Sequence, residues 1–259
     1  MNELNPRRPV SAILLAAGRG KRLQPYTDTV PKPLLAIHRD GRNRATLDLI
    51  FESLAAGGVQ EIVIVAHHLA DSIQTFLDAS TRPLDTRMVR QKTLNGAAAA
   101  VSTGWAALSP TALSAPVIVT ATDYLVTHDF YPQLLDFHQQ HNADISVSLK
   151  RVPAEELSAR SSVRIDTDGT LHEIVEKPAP GTAPSDLCAN LLYIVPPTSG
   201  SAFAAVTAST RGECEAADAI NALISAGASA RALLQPTPSE WHPQHPQAIS
   251  DGTKHFSGD

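Results

Sequence analysis

A glycine-rich, basic segment near the amino terminus contains the residue types that bind phosphate. It runs Leu15-Ala-Ala-Gly-Arg-Gly-Lys-Arg-Leu and is followed by Pro31-Lys-Pro-Leu. A glycine-rich loop after a strand lets backbone N–H groups approach an anion, and Lys21, Arg22 and Lys32 add the positive charge that triphosphate oxygens require. We interpret the segment as a phosphate-binding loop, and the alternative is a basic surface turn.

This loop differs from two common nucleotide-binding motifs. The Gly-x-x-x-x-Gly-Lys-Ser/Thr spacing of the P-loop is absent, and so is the third glycine of the dinucleotide-binding fingerprint. The two glycines are nevertheless coupled to Arg22, Thr27 and Lys32 within a short stretch. That coupling favours a functional loop over a turn formed by chance.

Short apolar runs alternate with helical periodicity through about the first 150 residues, which predicts parallel strands joined by crossover helices and hence an α/β fold. The predicted strands are Ala12–Ala16, Glu61–Ala66, Met88–Arg90, Pro116–Thr120 and Asp144–Leu149. The predicted helices are Ala45–Ala56, Leu69–Asp78, Ala97–Leu108 and Phe130–His141.

The alternation of strands and helices ends after residue 150. Two short predicted strands flank a turn there, which predicts an antiparallel hairpin and hence a mixture of parallel and antiparallel strands. The predicted elements here are the strands Ser162–Ile165, Leu171–Val175, Leu191–Val195 and Ala230–Leu234 and the helices Ala202–Ala208 and Ala216–Ala226. Several prolines from Pro236 onward predict an irregular tail. We expect a single domain over residues 1–259.

Composition excludes several classes of function. The net charge of −5 provides no broad positive field for nucleic acid, and no apolar run approaches the ~20 residues that span a bilayer. The two cysteines, Cys188 and Cys214, cannot build a disulfide framework and lack zinc-site spacing, so we expect both to be reduced. His67 and His68 follow a strand without zinc-site spacing and are interpreted as structural. A cytoplasmic location is expected.

The Gly-x-Gly-x-Arg-Leu loop and the Pro-Lys-Pro-Leu segment together resemble the hallmark of the sugar-phosphate nucleotidyltransferases, which join a nucleoside triphosphate to a sugar 1-phosphate and release pyrophosphate. The resemblance implies a Rossmann-like, three-layer α/β fold similar to that of the nucleotide-diphospho-sugar transferases, with a mixed central sheet. It also implies that Arg22 holds the β and γ phosphates and that Lys32 neutralises the α phosphate.

A second landmark of that family follows in the same order. Gln91-Lys-Thr-Leu-Asn-Gly96 resembles the family segment whose glutamine and glycine recognise the base, although Ala97 replaces the usual threonine. The alternative is a polar strand end before a helix. The nucleotide-binding residues implied by the resemblance are Ala16, Ala17, Gly18, Gly20, Lys21, Gln91 and Gly96.

A third landmark is Asp123, which ends the run Val117-Ile-Val-Thr-Ala-Thr and resembles the metal-binding aspartate of the family. Mg²⁺ prefers hard oxygen ligands, and one carboxylate plus two phosphates can complete its coordination. The resemblance therefore implies Mg²⁺ as cofactor and Asp123 as its ligand. In the family that the sequence resembles, a second carboxylate that binds the metal usually follows a tryptophan. In this sequence Trp241 is followed by His-Pro, and Asp251 is at best a displaced substitute for that carboxylate.

The acceptor side resembles the family less closely. Glu176-Lys-Pro is similar to a sequence element of sugar-phosphate enzymes. The resemblance implies that Glu176 accepts hydrogen bonds from sugar hydroxyls and that Lys177 binds the acceptor phosphate. Asn190 matches an asparagine of the sugar site, but Leu191 stands where the family has glycine. The structural alternative for Glu176 and Lys177 is a surface ion pair.

The resemblance predicts an enzyme that transfers NMP from an NTP to a sugar 1-phosphate and gives an NDP-sugar. One alternative is a cytidylyltransferase that acts on a non-sugar phosphate or phosphonate such as phosphocholine. A second alternative is a catalytically silent nucleotide-binding regulatory protein. The base and the acceptor are not readable from the sequence.

Overall fold

The computed structural model of the chain describes residues 10–39, 42–79, 84–122 and 129–235. These residues form the strands β1 (Val10–Ala16), β2 (Ala36–Arg39), β3 (Arg42–Ala45), β4 (Val59–Ala66), β5 (Asp85–Arg90), β6 (Val117–Ala121), β7 (Ile145–Arg151), β8 (Ser161–Ile165), β9 (Leu171–Glu176), β10 (Leu187–Val195) and β11 (Ala230–Leu234). The α-helices are α1 (Tyr26–Thr29), α2 (Thr46–Ala56), α3 (Ala70–Asp78), α4 (Ala97–Trp105), α5 (Phe130–Gln140), α6 (Gly200–Ala205) and α7 (Ala216–Ser225). Four short 3-10 helices cover Lys21–Leu23, Lys32–Leu34, Ala112–Ser114 and Ala154–Ala159.

Seven strands form the central sheet in the order β11-β7-β10-β6-β1-β4-β5. The strands β6, β1, β4 and β5 pair in parallel, and β10 runs antiparallel between β6 and β7. Strand β11 is parallel to β7 at the edge. The prediction of an α/β fold with a mixed central sheet is therefore confirmed.

Helices cover both faces of this sheet and give three layers. Helices α2, α3 and α5 pack on one face, where the buried residues include Leu14, Leu47 and Leu134. Helices α4, α6 and α7 pack on the other face, where they include Ile13 and Val101. Because neighbouring residues of a strand point to opposite faces, a strand buried on both faces must be almost continuously apolar, as β1 and β4 are.

The predicted hairpin is confirmed as β8 and β9, which pair antiparallel. A second hairpin, β2 and β3, was not predicted. Its polar strands lack an apolar alternation, but the Asp-Gly dipeptide between them in the sequence is a common hairpin signal. The predicted boundaries of some elements were wrong: the helix predicted to reach Leu108 ends at Trp105, and the strand predicted to begin at Leu191 begins at Leu187.

The order of the strands creates a switch point next to β1. The chain passes from β1 to β4 and β5 on one side and then returns to β6 on the other side of β1. In open α/β sheets the crevice outside the carboxyl ends of the strands at such a point is where ligands bind. The segments that follow β1, β5 and β6 are therefore brought together. In the part of the chain that the structure describes, no helix has the length and apolarity needed to cross a membrane.

Candidate active site

A cavity of about 350 Å³ opens at the carboxyl ends of the parallel strands, beside the switch point. Its walls come from the segment after β1, the 3-10 helix that begins at Lys32, the segment after β5, the start of α4, the end of β6, and β10. The residues that line it are Leu15, Ala16, Ala17, Gly18, Gly20, Lys32, Pro33, Gln91, Leu94, Gly96, Ala97, Ala100, Ala121, Thr122, Leu191 and Glu213.

The predicted phosphate loop forms one wall, and its shape depends on Gly20. This residue has φ +63, a left-handed conformation that favours glycine. A Cβ atom added at Gly20 would lie 2.8 Å from the Cγ2 methyl of Thr27. The Thr27 hydroxyl donates a hydrogen bond of 3.0 Å to the Gly20 carbonyl. The loop is therefore closed on itself by a buried threonine seven residues further along the chain.

The predicted cations of this loop differ in position. Lys32 lines the cavity and is half-buried. Lys21 and Arg22 are exposed on the 3-10 helix Lys21–Leu23 and are not among the described residues that line the cavity. The structure thus brings Lys32 together with the glycines and leaves Lys21 and Arg22 outside the cavity wall.

The segment after β5 supplies a second wall. Gln91 is only 4% exposed, and its side-chain Nε2 donates a hydrogen bond of 3.1 Å to Oδ1 of Asn95. Gly96 has φ +111, and a Cβ atom there would lie 2.4 Å from both the backbone nitrogen and the carbonyl oxygen of Cys214. Close approach of the Cys214 backbone therefore explains why position 96 is glycine, whether or not a base also packs there.

Two backbone hydrogen bonds fix this contact. The Cys214 N–H donates to the Asn95 carbonyl at 2.8 Å, and the Ala98 N–H donates to the Cys214 carbonyl at 2.9 Å. We call this contact the Cys214 clasp. It joins the Gln91–Gly96 segment to the segment that carries Glu213, so two walls of the cavity are held at a fixed separation. Both cysteines are free and buried.

The end of β6 closes the floor of the cavity. The Thr122 hydroxyl and the Thr122 N–H both donate to the carbonyl of Leu15, at 3.2 Å and 3.3 Å, which ties β6 to β1. Asp123, the next residue in the sequence and the predicted magnesium ligand, lies outside the described residues, as does the tail with Trp241 and Asp251. Within the residues that are described, no group of three His, Cys, Asp or Glu side chains could hold a metal ion.

The predicted acceptor residues Glu176 and Lys177 lie at the end of β9. Lys177 has φ +48, and its N–H donates a hydrogen bond of 2.6 Å to the Arg160 carbonyl. Its Nζ lies 4.0 Å from a carboxylate oxygen of Glu213, a residue of the cavity wall. Neither Glu176 nor Lys177 lines the described cavity, but this ion pair links Lys177 to its rim.

Burial and nearby charges of both signs set the pKa of Glu176. Burial is the largest cause that raises the pKa of Glu176, and the Glu215 carboxylate raises it further. The cations Lys177 and Arg211 act in the opposite direction. Burial, with Glu176 as the second cause, also raises the pKa of Tyr193. The end of β9 is therefore a partly desolvated place in which carboxylates and cations of neighbouring segments influence one another.

Asn190, the third predicted acceptor residue, is not brought to the cavity. Its side chain is fully buried, and its Nδ2 donates to Ser148 Oγ at 3.0 Å and to Gln235 Oε1 at 2.8 Å. The adjacent Leu191 lines the cavity instead. Neighbouring strand residues point to opposite faces, which explains the exchange. Binding of the acceptor by Asn190 stays a prediction.

A profile of the family described as Nucleotidyl transferase matches residues 11–241. The chain belongs to the nucleotidyl transferase family. This match confirms the family resemblance that the glycine-rich loop and the Pro-Lys-Pro-Leu segment carry in the sequence.

Curated relatives of this nucleotidyl transferase are longer than the chain. A glucose-1-phosphate adenylyltransferase of Anaeromyxobacter sp. (strain Fw109-5) is 30% identical over 189 residues, which are 68% of this chain and 44% of that protein. A mannose-1-phosphate guanylyltransferase catalytic subunit beta of Drosophila pseudoobscura pseudoobscura is 28% identical over 170 residues, 64% of this chain and 43% of that protein. The chain therefore spans less than half the length of these relatives.

Solved structures confirm the predicted Rossmann-like fold of this nucleotidyl transferase. A UDP-glucose pyrophosphorylase complexed with UDP-glucose superimposes with a TM-score of 0.80 at 22% identity, covering 95% of this chain and 97% of that chain. The apo form of a UDP-glucose pyrophosphorylase gives the same TM-score and coverage at 21% identity. At such identities the likeness establishes the fold alone.

Several residues that line the cavity of this nucleotidyl transferase were not predicted as site residues, among them Leu94, Leu191 and Glu213. Leu94 lies inside the predicted base segment, and Leu191 stands at the position that was noted only as a missing glycine. Glu213 reaches the cavity from the segment before α7 through the Cys214 clasp. No local pattern predicts that last contact, because it joins positions more than a hundred residues apart.

Proposed function

We propose that the chain transfers a nucleoside monophosphate from an NTP to a sugar 1-phosphate, releasing pyrophosphate and giving an NDP-sugar. One observation supports this most strongly: a single cavity is lined by the glycine-rich loop, by Lys32 and by the Gln91–Gly96 segment. The names of two curated relatives, glucose-1-phosphate adenylyltransferase and mannose-1-phosphate guanylyltransferase, describe the same class of reaction. A cytoplasmic location is part of this proposal.

The nucleotide would occupy the walls next to β1 and β5. Backbone N–H groups of the Ala16–Gly20 loop would contact the phosphates, and Lys32 would neutralise the α phosphate. Gln91 and the Gly96 backbone would contact the base, beside the apolar side chain of Leu94. Lys21 and Arg22 are exposed near the mouth of the cavity and would reach the β and γ phosphates only after their side chains turn inward.

The acceptor would approach from the side of Glu213 and Leu191. In this proposal Lys177 binds the acceptor phosphate, and Glu176 accepts hydrogen bonds from sugar hydroxyls. The ion pair between Lys177 and Glu213 gives the acceptor phosphate a partner that is already next to the cavity. Asn190 keeps its proposed role if its buried Oδ1, which has no hydrogen-bond partner among the described residues, becomes accessible to an acceptor.

The reaction needs no covalent enzyme intermediate. An oxygen of the acceptor phosphate attacks the α phosphorus, the bond from that phosphorus to the bridging oxygen of the β phosphate breaks, and pyrophosphate leaves on the opposite side. Two anionic reactants repel each other, so the protein must hold them in line and neutralise their charge. Lys32 on the nucleotide side and Lys177 on the acceptor side would provide this.

The proposed reaction is compatible with a Mg²⁺ ion that has few ligands from the protein. Asp123 would hold the ion, which would supply neutralisation of phosphate charge. Mg²⁺ commonly binds through one or two carboxylates together with substrate phosphates and waters, so Asp123 suffices as the proposed protein ligand. Thr122, which precedes Asp123 in the chain, lines the cavity.

A matrix of substrates tests the proposal. The protein is incubated with Mg²⁺ and each of ATP, GTP, CTP, UTP and dTTP against glucose 1-phosphate, mannose 1-phosphate and phosphocholine, and released pyrophosphate is measured. We expect release with at least one NTP and a sugar 1-phosphate. Release only with CTP and phosphocholine supports the cytidylyltransferase alternative. Nucleotide binding without release from any pair supports the regulatory alternative.

A further inference from the structure

Two adjacent histidines, His67 and His68, follow β4 at the carboxyl end of the sheet. Strand β4 lies between β1 and β5 in the sheet. The chain after β1 forms the proposed phosphate loop, and the chain after β5 forms the proposed base segment. The histidines therefore stand between the two segments that would hold the two ends of one nucleotide.

Each histidine contacts a different one of these segments. The Nδ1 atom of His67 lies 2.6 Å from the carbonyl oxygen of Gln91. The Nε2 atom of His68 lies 2.8 Å from the carbonyl oxygen of Thr27. A carbonyl oxygen only accepts hydrogen bonds, so each of these nitrogens must carry a proton. Neutral His67 is consequently the Nδ1–H tautomer and neutral His68 the Nε2–H tautomer.

The contact of His68 leads to the phosphate loop. Thr27 is buried, and its hydroxyl donates to the carbonyl of Gly20. Its methyl group occupies the space beside Gly20 in which a Cβ atom would not fit. His68 therefore holds the backbone of the residue that closes the loop.

The contact of His67 leads to the base segment. The Gln91 N–H donates to the carbonyl of Ala66 at 2.8 Å, and the Gln91 carbonyl accepts from His67, so both backbone polar groups of Gln91 are held by the end of β4. The side chain of Gln91 is left to bond Asn95 and to line the cavity. His67 therefore helps to fix the backbone position from which the Gln91 side chain extends into the cavity wall.

We propose that His67 and His68 are positioning residues of the nucleotide site, with His67 setting the base segment and His68 setting the phosphate loop. The proposal deepens the proposed function and rests on it. Both rings are only half-buried, so neither serves as a filler of the hydrophobic core. The division of labour has a specific consequence: loss of the His67 bond changes discrimination among bases, whereas loss of the His68 bond weakens every NTP alike.

Amide side chains test the geometry of each bond. The Nδ2 of asparagine can take the place of a histidine Nδ1, and the Nε2 of glutamine can take the place of a histidine Nε2. His67→Asn and His68→Gln should therefore retain the bonds. The crossed variants His67→Gln and His68→Asn, and the two leucine variants, should lose them.

The kinetic measurement is KM and kcat for each NTP in the pyrophosphate-release assay, with the best acceptor at saturation. One hydrogen bond corresponds to roughly a three- to tenfold change in affinity. His68→Leu should raise KM for all NTPs by a common factor of about that size. His67→Leu should lower kcat/KM more for the preferred NTP than for the others.

The matched amide variants should recover most of each loss, and the crossed variants should not. His172→Leu is the control, because His172 is an exposed histidine on β9 that pairs with Asp166 away from the cavity; its KM values should equal those of the wild type. The proposal is overturned if the crossed variants recover as well as the matched ones, or if all the variants lower kcat alone by one common factor.

A second readout does not depend on activity. Long-range ¹H–¹⁵N spectra of histidine side chains distinguish the two tautomers, and we expect Nδ1–H at His67 and Nε2–H at His68. The opposite tautomers would overturn the positioning role directly. If the wild type releases pyrophosphate from no substrate pair, the proposed function fails on its own. The tautomers, together with the NTP dissociation constants of the same variants measured by calorimetry, then still decide the proposal for the histidines.

Discussion

The two sides of the cavity are built in different ways. On the nucleotide side, short turns after parallel strands are held by backbone bonds and by buried small residues such as Thr27, and Lys32 contributes a cation to the wall. On the acceptor side, a hairpin end and the segment before α7 meet through charged side chains: Lys177 pairs with Glu213, and Glu215 pairs with Arg211 near Glu176. The nucleotide side is fixed by the fold, and the acceptor side is fixed by side chains that can exchange partners.

That difference indicates where specificity can vary. A backbone cradle accepts any triphosphate, because phosphates are common to all NTPs, and changing it requires changing the turn. Charged side chains at the end of β9 and before α7 can be replaced one at a time without disturbing the sheet. We therefore expect substitutions on the nucleotide side to affect NTP binding, turnover or folding, and those on the acceptor side to affect acceptor binding with smaller effects on stability.

The largest effect is expected at the proposed metal ligand. Asp123→Asn should lower kcat by at least ~10²-fold, the order lost with an electrostatic catalytic group. The measurement is the rate of pyrophosphate release at saturating substrates. Asp129→Asn is the control, since Asp129 is exposed and its carboxylate accepts a hydrogen bond from the side chain of Gln133, one turn further along the chain. Near-normal turnover of Asp123→Asn would contradict the metal assignment.

A backbone test of the nucleotide side comes next. Gly96→Ala should lower the free energy of unfolding by about 1–3 kcal/mol and lower kcat/KM, because the new Cβ would strain a left-handed residue and push against the Cys214 clasp. Urea unfolding measures the change in stability. Gly181→Ala separates the two causes, since Gly181 also has a positive φ but has open space around it. Equal destabilisation in both variants would show that the clasp contributes nothing.

On the acceptor side, Lys177→Ala should raise KM for the acceptor by about tenfold, the order expected for one charge-assisted hydrogen bond to phosphate, and leave KM for the NTP nearly unchanged. Steady-state kinetics with each substrate varied in turn measures this. Arg164→Ala, on the neighbouring strand β8 and paired with Glu173, is the control. An unchanged acceptor KM would remove Lys177 from the site.

The smallest effect concerns the pH dependence of stability. Because the folded pKa of Glu176 is raised above its ordinary value of 4.5, its contribution to stability is fully present below that value and is lost as the pH rises through the folded pKa. Glu176→Gln cannot ionise, so its stability relative to the wild type should grow with pH over this window. Urea unfolding at a series of pH values tests this, with Glu173→Gln as control; a difference that does not depend on pH would contradict it.

The sequence predicted the segments that form the cavity walls next to β1 and β5, because the determinants of those segments are local. Glycines at fixed spacing, the Pro-Lys-Pro-Leu segment and the apolar strands each report their own conformation, and the α/β fold and its sheet follow from them. The glycine at position 96 was predicted as a base-binding residue, yet the packing of Cys214 already requires it. When both ligand binding and backbone packing can require a glycine, the sequence alone does not distinguish the two causes.

The acceptor side could not be predicted to the same depth. Glu213 reaches the cavity because Cys214 bonds to Asn95 and Ala98, a contact between distant positions that leaves no periodic pattern. Asn190 was predicted from its place in a motif, but its neighbour Leu191 faces the cavity. Which face of a strand meets a ligand depends on the register of the whole sheet, and a single motif does not carry that information.

The central claim is that one cavity gathers an NTP between the Ala16–Gly20 loop and the Gln91–Gly96 segment. A crystal structure of the protein with Mg²⁺ and a non-hydrolysable NTP analogue tests it most directly. We predict the phosphates against the Ala16–Gly20 loop and Lys32, and the base beside Gln91 and Gly96. An ordered nucleotide bound elsewhere, with this cavity empty, would contradict the account.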